Sequence, residues 1–290
     1  MNDNAGIDVS PAVRDYLALE DIDKVNWQFV DFDAVEPGPW LFHVNVTGQD
    51  WYRPLAGATF YWQLQGDIVE PTGADIYDID LFDTQKAIID RLKAQGKRVI
   101  CYFSAGSAES WRPDYSLFSQ GELGLSLQGW QGEQWLDIRS QNVRAIMAKR
   151  LDLAVEKGCD GVEPDNIDGF SNNTGFPLTY EDQLSYNKFL AREAHKRGLA
   201  IGLKNDLEQA RDLVGYFDFL LMESCFDYEE CDLAWPFVES LKPVFDVEYG
   251  LEGEALAEER RRYCEEASTL GIEVMFANWD LDGSYWESCQ

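Results

Sequence analysis

Gly158-Cys159-Asp160-Gly161-Val162-Glu163-Pro164-Asp165-Asn166-Ile167-Asp168 is the stretch on which the fold turns. A glycine stops the helical pattern that precedes it, a short strand pattern follows, and four acids fall within the nine residues 160–168. Acids this dense on a strand are costly, because burying carboxylates together disfavours their charged forms. Such clusters persist where chemistry or cation binding uses them. A solvated acidic turn is the plain alternative. The apolar-and-glycine pattern into which these acids are set argues against it.

The same punctuation recurs along the chain. Helices are predicted over 84–95, 140–157, 179–197, 207–214 and 254–270, and Gly96, Gly158, Gly198 and Gly271 stop four of them. Glycine supplies the left-handed residue just past a helix end. Eight runs rich in Val, Ile, Phe and Tyr read as strands: 59–65, 75–81, 98–105, 160–166, 200–205, 217–224, 243–249 and 273–281. Strand then helix, repeated eight times, predicts an α/β fold, a parallel sheet with right-handed crossovers closed into a (β/α)8 TIM barrel. An open doubly wound sheet is the rival, weakened because no Gly-rich nucleotide fingerprint follows the first strand. The 290 residues then divide into an N-terminal extension, 1–50, packed on a catalytic barrel, 51–290. The extension carries hairpin-like material at 27–33 and 40–46. A long loop insertion from Gly106 to Ser140 follows strand three and carries Trp111, Tyr115, Phe118, Trp130 and Trp135. Each of these aromatics fits a satellite core as well as it fits sugar stacking.

Active sites of such barrels lie at the C-terminal ends of the strands. Here the second predicted strand ends in Asp78, Asp80 and Asp83, the third in Tyr102 and Ser104, and the fourth in Glu163, Asp165 and Asp168. The fifth ends in Lys204, Asn205 and Asp206, the sixth in Glu223, the seventh in Asp246 and Glu248, and the eighth in Asn278, Trp279 and Asp280. Period-two alternation puts Glu163 and Asp165 on one face, and Asp78 with Asp80. Asp160, at the start of its strand, reads as structural.

Charge narrows the ligand. Asp plus Glu number 53 against 24 Lys plus Arg, a formal net charge of −29. Nucleic acid is excluded as a partner, since its phosphates would be repelled and no basic stripe offsets the field. A cationic substrate would be drawn in, although acidity also serves solubility. Of six cysteines, Cys225 and Cys231 bracket a short loop after strand six, and Cys264 and Cys289 fit a staple of the C-terminal tail. Cys101 and Cys159 lie on adjacent predicted strands and read equally as a disulfide or as buried thiols. Their spacing does not suit zinc, and His43 and His195 lie elsewhere, so no metal and no cofactor is expected. Disulfides imply a secreted or extracytoplasmic location. Met1-Asn2-Asp3-Asn4 shows no signal segment, so a signal would have been removed or lie outside this chain. No stretch has transmembrane length, and a monomer with no membrane partner is expected.

An acidic, aromatic-rich barrel mouth suits glycoside hydrolysis, in which one carboxyl protonates the leaving oxygen and a second acts as nucleophile or base. Strands four and six are two apart, so Asp165 and Glu223 can face each other. Glu223, after the apolar run Phe219-Leu220-Leu221-Met222, suits the general acid, and Asp165, among amides and near Lys204, suits the nucleophile.

The ordered motifs YWQLQG (61–66), YDIDLFDT (77–84), VICYFSAGSAESWRPD (99–114), GEQWLDIRS (132–140), GCDGVEPDNIDG (158–169), GLKND (202–206) and MESCFDYEEC (222–231) resemble those of glycoside hydrolase family 114, the endo-α-1,4-polygalactosaminidases. The resemblance covers about residues 55–290. It implies a secreted (β/α)8 enzyme that cuts α-1,4-linked galactosamine inside a polysaccharide, with Asp165 and Glu223 at the positions of the conserved acids, and it favours retention. Because that substrate carries ammonium groups, Asp78, Asp80, Asp137 and Glu248 are candidate amine contacts, Asp168 reads as an amine contact or a loop residue, and Glu163 is a candidate substrate contact on the face of Asp165. Trp62, Tyr102 and Trp279 are candidate stacking platforms, the first two reading equally as barrel packing. Lys204 is a further candidate contact. The alternatives are a non-catalytic carbohydrate-binding barrel, a hydrolase of another aminosugar polymer, a deacetylase, a metal-dependent lyase, or Schiff-base chemistry at Lys204.

Overall fold

The computed structural model describes residues 50–70 and 73–289; the hairpin-like stretches of the expected extension, and His43, lie outside them. The strands are β1 Phe60–Gln63, β2 Ile76–Asp80, β3 Arg98–Ser104, β4 Ser107–Glu109, β5 Leu123–Ser126, β6 Glu133–Leu136, β7 Gly161–Asp165, β8 Ala200–Lys204, β9 Phe219–Glu223, β10 Val244–Tyr249, β11 Glu273–Ala277 and β12 Trp286–Ser288. The α-helices among the described residues are α1 Lys86–Ala94, α2 Gln141–Lys157, α3 Tyr180–Lys196, α4 Ala210–Leu213, α5 Trp235–Glu239 and α6 Ala257–Leu270.

One sheet runs β1-β2-β3-β7-β8-β9-β10-β11 with every pairing parallel, and β12 adds antiparallel to the far edge of β11. The eight parallel strands are the eight read from the sequence, and they form a nearly closed TIM-type barrel. Its seam is bridged by the loop after β11, where the Leu281 carbonyl accepts from the N–H groups of Leu64 (2.9 Å) and Gln65 (3.2 Å). The eighth predicted run is therefore cut short: its last residues, 278–281, turn across the seam instead of continuing the strand.

Local chemistry explains the boundaries. Gly96, Gly158, Gly198 and Gly271 all adopt left-handed φ, from 75° to 90°, where a side chain would be strained. Ser140 caps α2 through Oγ, and Thr179 with Asp182 forms a capping box on α3. Two apolar layers result. An outer one packs the helices on the sheet, and an inner one fills the barrel with Phe60, Trp62, Ile76, Ile100, Phe219, Leu221, Phe245, Val247 and Met275. Gly202 points inward on β8, where an added Cβ would lie 2.3 Å from the Phe219 ring, so its bareness makes room for that ring.

The insertion after β3 holds structure that the sequence pattern did not announce, a three-stranded antiparallel sheet ordered β4-β6-β5. Its aromatics divide: Phe118 is buried in the outer core and Tyr115 packs against it, whereas Trp111 and Trp130 are exposed. Three disulfides, Cys101–Cys159, Cys225–Cys231 and Cys264–Cys289, join strand β3 to the start of β7, clamp the loop after β9, and tie the tail to α6.

Candidate active site

Strand alternation builds the site. Odd-numbered residues of β7, β9 and β10 face the barrel interior, so Glu163 and Asp165 project on the same side as Glu223, Tyr249 and, from β8, Lys204. Lys204 is the hub. Its Nζ lies 3.0 Å from Glu163 Oε1, 3.2 Å from Asp165 Oδ1 and 3.2 Å from Glu223 Oε2, and 4.4 Å from the centre of the Trp62 ring. Lys204 is only 2% exposed. Burial alone would strip its proton, but Asp165, Glu163 and Glu223 outweigh burial and hold the ammonium charged. A protonated amine has no lone pair, which counts against Schiff-base chemistry here.

The two rim carboxylates are each oriented by three partners. Asp165 accepts from Tyr102 Oη (3.0 Å), Asn166 Nδ2 (3.2 Å) and Lys204. Glu223 accepts from Tyr249 Oη (2.6 Å) and Asn205 Nδ2 (3.2 Å) and is ion-paired with Lys204 at 3.2 Å. The residues that follow β7, β8 and β9, namely Asn166, Asn205 and Ser224, all have left-handed φ, between 49° and 59°. Such geometry is uncommon outside glycine and is best tolerated by asparagine. It turns the chain sharply, so the side chains of Asn166 and Asn205 fold back onto the carboxylates. Gly106 allows the Asn166 turn: a Cβ there would sit 1.6 Å from the Asn166 carbonyl oxygen.

Beneath this layer, Glu163 and Asp78 are fully buried. Burial pushes the Glu163 carboxyl up to about 8, with the Lys204 charge opposing. Asp78 accepts no hydrogen bond at either oxygen among the described residues, and burial followed by the Glu163 charge raises its carboxyl well above the usual carboxylate range. Burial likewise lifts Glu133 to about 7, Asp168 to about 6, Asp206 to about 9 and Glu248 to about 7. These groups hold protons in the folded chain that the unfolded chain releases near pH 4. Stability therefore falls as pH rises from about 5 to 9. A loss of at least about 3 kcal/mol, or about 6–12 °C in Tm, is expected across that window. Melting curves at pH 5, 7 and 9 check it, and a Tm that rises with pH would contradict the burial of these acids.

The sequence candidates fall into three groups. Trp62, Tyr102, Asp165, Asp168, Lys204, Glu223 and Trp279 line one cleft of about 310 Å³, with Glu163 and Asp78 packed beneath it. Asp80 lines an adjoining hollow and is held by Arg112 at 2.5 Å. Asp137 and Glu248 are elsewhere. Asp137 is paired with Arg139 at 2.7 Å, and Glu248 lies on the outer face of β10, accepting from the Phe226 N–H. Because Phe245, Val247 and Tyr249 take the inward positions of β10, the acids at 246 and 248 must face out. Asp160 sits at the opposite end of β7, bridging Lys93 and Arg98. Cys225, Asp246 and Glu248 are the one group of metal-ligand types brought within 4.8 Å among the described residues. The Cys225 sulfur is committed to Cys231, and the acids accept the Cys225 and Phe226 N–H groups, so this cluster pins the loop after Glu223.

Glu133, Asn166 and Tyr249 escaped the sequence reading, whereas Trp130 and Trp135, read as loop aromatics, and Asn205, read as a polar strand end, take places in the cleft. Period two along β10 points to Tyr249. Glu133 and Trp135 stand in the GEQWLDIRS motif and become legible only when that motif is taken as a strand.

Comparison with known proteins agrees with this architecture. No curated protein sequence matches the chain. A crystal structure of Aspergillus fumigatus Ega3 in complex with galactosamine is 39% identical, covers 84% of this chain and 99% of its own, and superposes with a TM-score of 0.79. The glycoside hydrolase domain of PelA from Pseudomonas aeruginosa, 16% identical, covers 80% of this chain and 98% of its own with a TM-score of 0.61, and so shares the fold. The family model for glycoside-hydrolase family GH114 matches residues 43–290, and with a 39% identical relative along most of its length this chain belongs to that family.

Proposed function

We propose that this glycoside hydrolase cleaves internal α-1,4-galactosaminidic bonds in a cationic, partly deacetylated galactosamine polysaccharide, with retention, outside the cytoplasm. The observation that carries the reading is the pair Asp165 and Glu223, each 3.2 Å from one ammonium at the floor of an acidic, aromatic-walled cleft. The two oxygens that face Lys204 are therefore no more than twice that length apart. Retention, which the family resemblance favours, requires the two carboxyl groups to stand roughly 5–5.5 Å apart rather than the roughly 6.5–9.5 Å of inversion.

In this mechanism Glu223 protonates the leaving glycosidic oxygen while Asp165 attacks the anomeric carbon to give a covalent glycosyl ester. Glu223, now a carboxylate, then takes a proton from the water that hydrolyses the ester. Tyr102, Asn166 and Lys204 hold Asp165 for attack, and Tyr249 and Asn205 hold Glu223. Trp279, 68% exposed and stacked on Tyr249 at 4.4 Å, offers a flat face at the rim for a sugar ring. The galactosamine bound by the Ega3 relative and the net charge of −29 both support a cationic substrate. Three disulfides suit an oxidising compartment, and no described helix is long and apolar enough to cross a membrane.

Incubation with deacetylated α-1,4-galactosamine polymer is expected to release mixed oligosaccharides from the start, with α anomers at the new reducing ends by NMR. Rates should fall as N-acetylation rises. Absence of cleavage, or initial β anomers, would refute the activity or the stereochemistry respectively.

A further inference from the structure

We infer that Glu133, presented by the inserted sheet, reads the ammonium group of a substrate sugar beside the catalytic pair and so selects for deacetylated units. The inference rests on the aminosugar reading above and names the residue that enforces it.

Glu133 opens β6, and the register sets it directly opposite Glu109 of β4. Like charges so placed repel, and the fold resolves only half of the conflict. Arg112 lies 2.8 Å from Glu109 and also bonds Asp80, whereas Glu133 has no ion-pair partner among the described residues. Its side chain is nevertheless well held. Oε2 accepts from Ser107 Oγ at 2.7 Å, and that hydroxyl belongs to a chain running through Ser104 Oγ (2.6 Å) and Asn166 Nδ2 (3.0 Å) to Asp165 (3.2 Å). Oε1 has no partner among the described residues. Glu133 is 5% exposed, and it lines both the cleft of Asp165 and Glu223 and the hollow that continues from it past Trp130.

A buried carboxyl, fixed at one oxygen, free at the other and facing a ligand cleft without a counter-cation, is an incomplete ion pair. The charged groups around it are Glu109 from β4, Asp165 from β7 and Arg112 after β4, with the Tyr102 phenol from β3 also within electrostatic reach. Burial, then the charges of Glu109 and Asp165, hold the Glu133 carboxyl up near 7, against the Ser107 hydroxyl and Arg112. A sugar ammonium supplies the missing charge and a hydrogen bond to Oε1. An acetamido group supplies neither charge nor the compact shape. Lys204 cannot serve, since Glu163, Asp165 and Glu223 already share it.

The test compares wild type, Glu133→Gln and Glu133→Asp on deacetylated and N-acetylated galactosamine oligomers. Gln keeps the acceptor for Ser107, and melting curves confirm folding. The ratio of kcat/KM for deacetylated over acetylated substrate should fall about tenfold in Glu133→Gln, mainly through KM, and Glu133→Asp should recover part of it. For wild type, KM on the deacetylated oligomer should rise as pH drops through about 7, where Glu133 takes up a proton, and this limb should vanish in Glu133→Gln. An unchanged ratio, or an equal loss on both substrates, would overturn the assignment. Calorimetry with free galactosamine and N-acetylgalactosamine separates this inference from the parent reading. If wild type cleaves neither polymer but prefers the free amine, and loses that preference in Glu133→Gln, the hydrolase reading fails and Glu133 stands. If the polymer is cut and the preference survives the substitution, Glu133 fails alone.

Discussion

Glu223→Gln and Asp165→Asn are each expected to lower kcat/KM on the deacetylated polymer by about 10²–10⁴-fold, while leaving the fold intact. The replacements are isosteric, and each retains an acceptor for the hydroxyl that orients it, Tyr249 in one case and Tyr102 in the other. What each loses is chemistry. The Glu223→Gln amide has no proton to give to a leaving oxygen and no charge with which to activate water, and the Asp165→Asn amide cannot form the glycosyl ester. The two losses should combine far from additively, because both steps pass through the same intermediate. Comparable circular dichroism and Tm would locate the defect in the chemistry. Near-wild-type turnover by either variant would remove that residue from the mechanism, and near-wild-type turnover by both would place the hydrolytic groups elsewhere on the barrel.

Lys204→Met should produce the largest loss of stability. One buried ammonium balances Glu163, Asp165 and Glu223, and Met fills similar space without charge. Removing one partner of a buried ionic group costs about 3–5 kcal/mol, because the remaining charges stay uncompensated. At about 2–4 °C per kcal/mol for a domain of this size, Tm should fall by about 6–20 °C. The loss should be larger at pH 8 than at pH 5, since Glu163, already held up near 8, takes a proton at the lower pH and relieves part of the imbalance. Adding Glu163→Gln should restore part of the stability but not the activity, because Asp165 and Glu223 would still lack the group that holds both. A Lys204→Met protein as stable as wild type, or equally destabilised at both pH values, would show that the ionic cluster does not govern folding.

Why some of this was legible in the sequence and some was not follows from the physics of individual residues. Helix ends are local events. Gly96, Gly158, Gly198 and Gly271 announced themselves because only glycine adopts that conformation cheaply, and from them the strand and helix repeat could be read. Placement at a strand end is also nearly local, which is why Trp62, Tyr102, Asp165, Lys204, Glu223 and Trp279 converge as expected. Which face a residue takes depends on register. Glu248 is polar and close to a strand end, yet the inward positions of its strand belong to Val247 and Tyr249. Pairing is another non-local fact: whether Asp80 is free depends on Arg112, 32 residues away in the chain. Glu133 escaped for the same reason, since its meaning rests on β6 lying between β4 and β5, a contact that no period in the sequence reveals. Cys101 and Cys159 could be read as thiols or as a bridge until the parallel pairing of β3 and β7 brought them together.

The seam of the barrel has a consequence in time. β1 begins at Phe60, and the carbonyl that bridges its end to the last barrel strand belongs to Leu281. The segment that follows folds back on β11 and is tied to α6 through Cys289 and through the Arg260–Glu287 ion pair at 3.0 Å. A chain emerging from the ribosome can pair β1 with β2 and β3 early, but the ring must wait until β11 and the loop through Leu281 are made. Contacts so distant in sequence are slow to form. Trp279 and Leu281, which line the cleft, arrive in that same last segment. The cleft is therefore complete only once the segment through Leu281 has been made and has closed the seam.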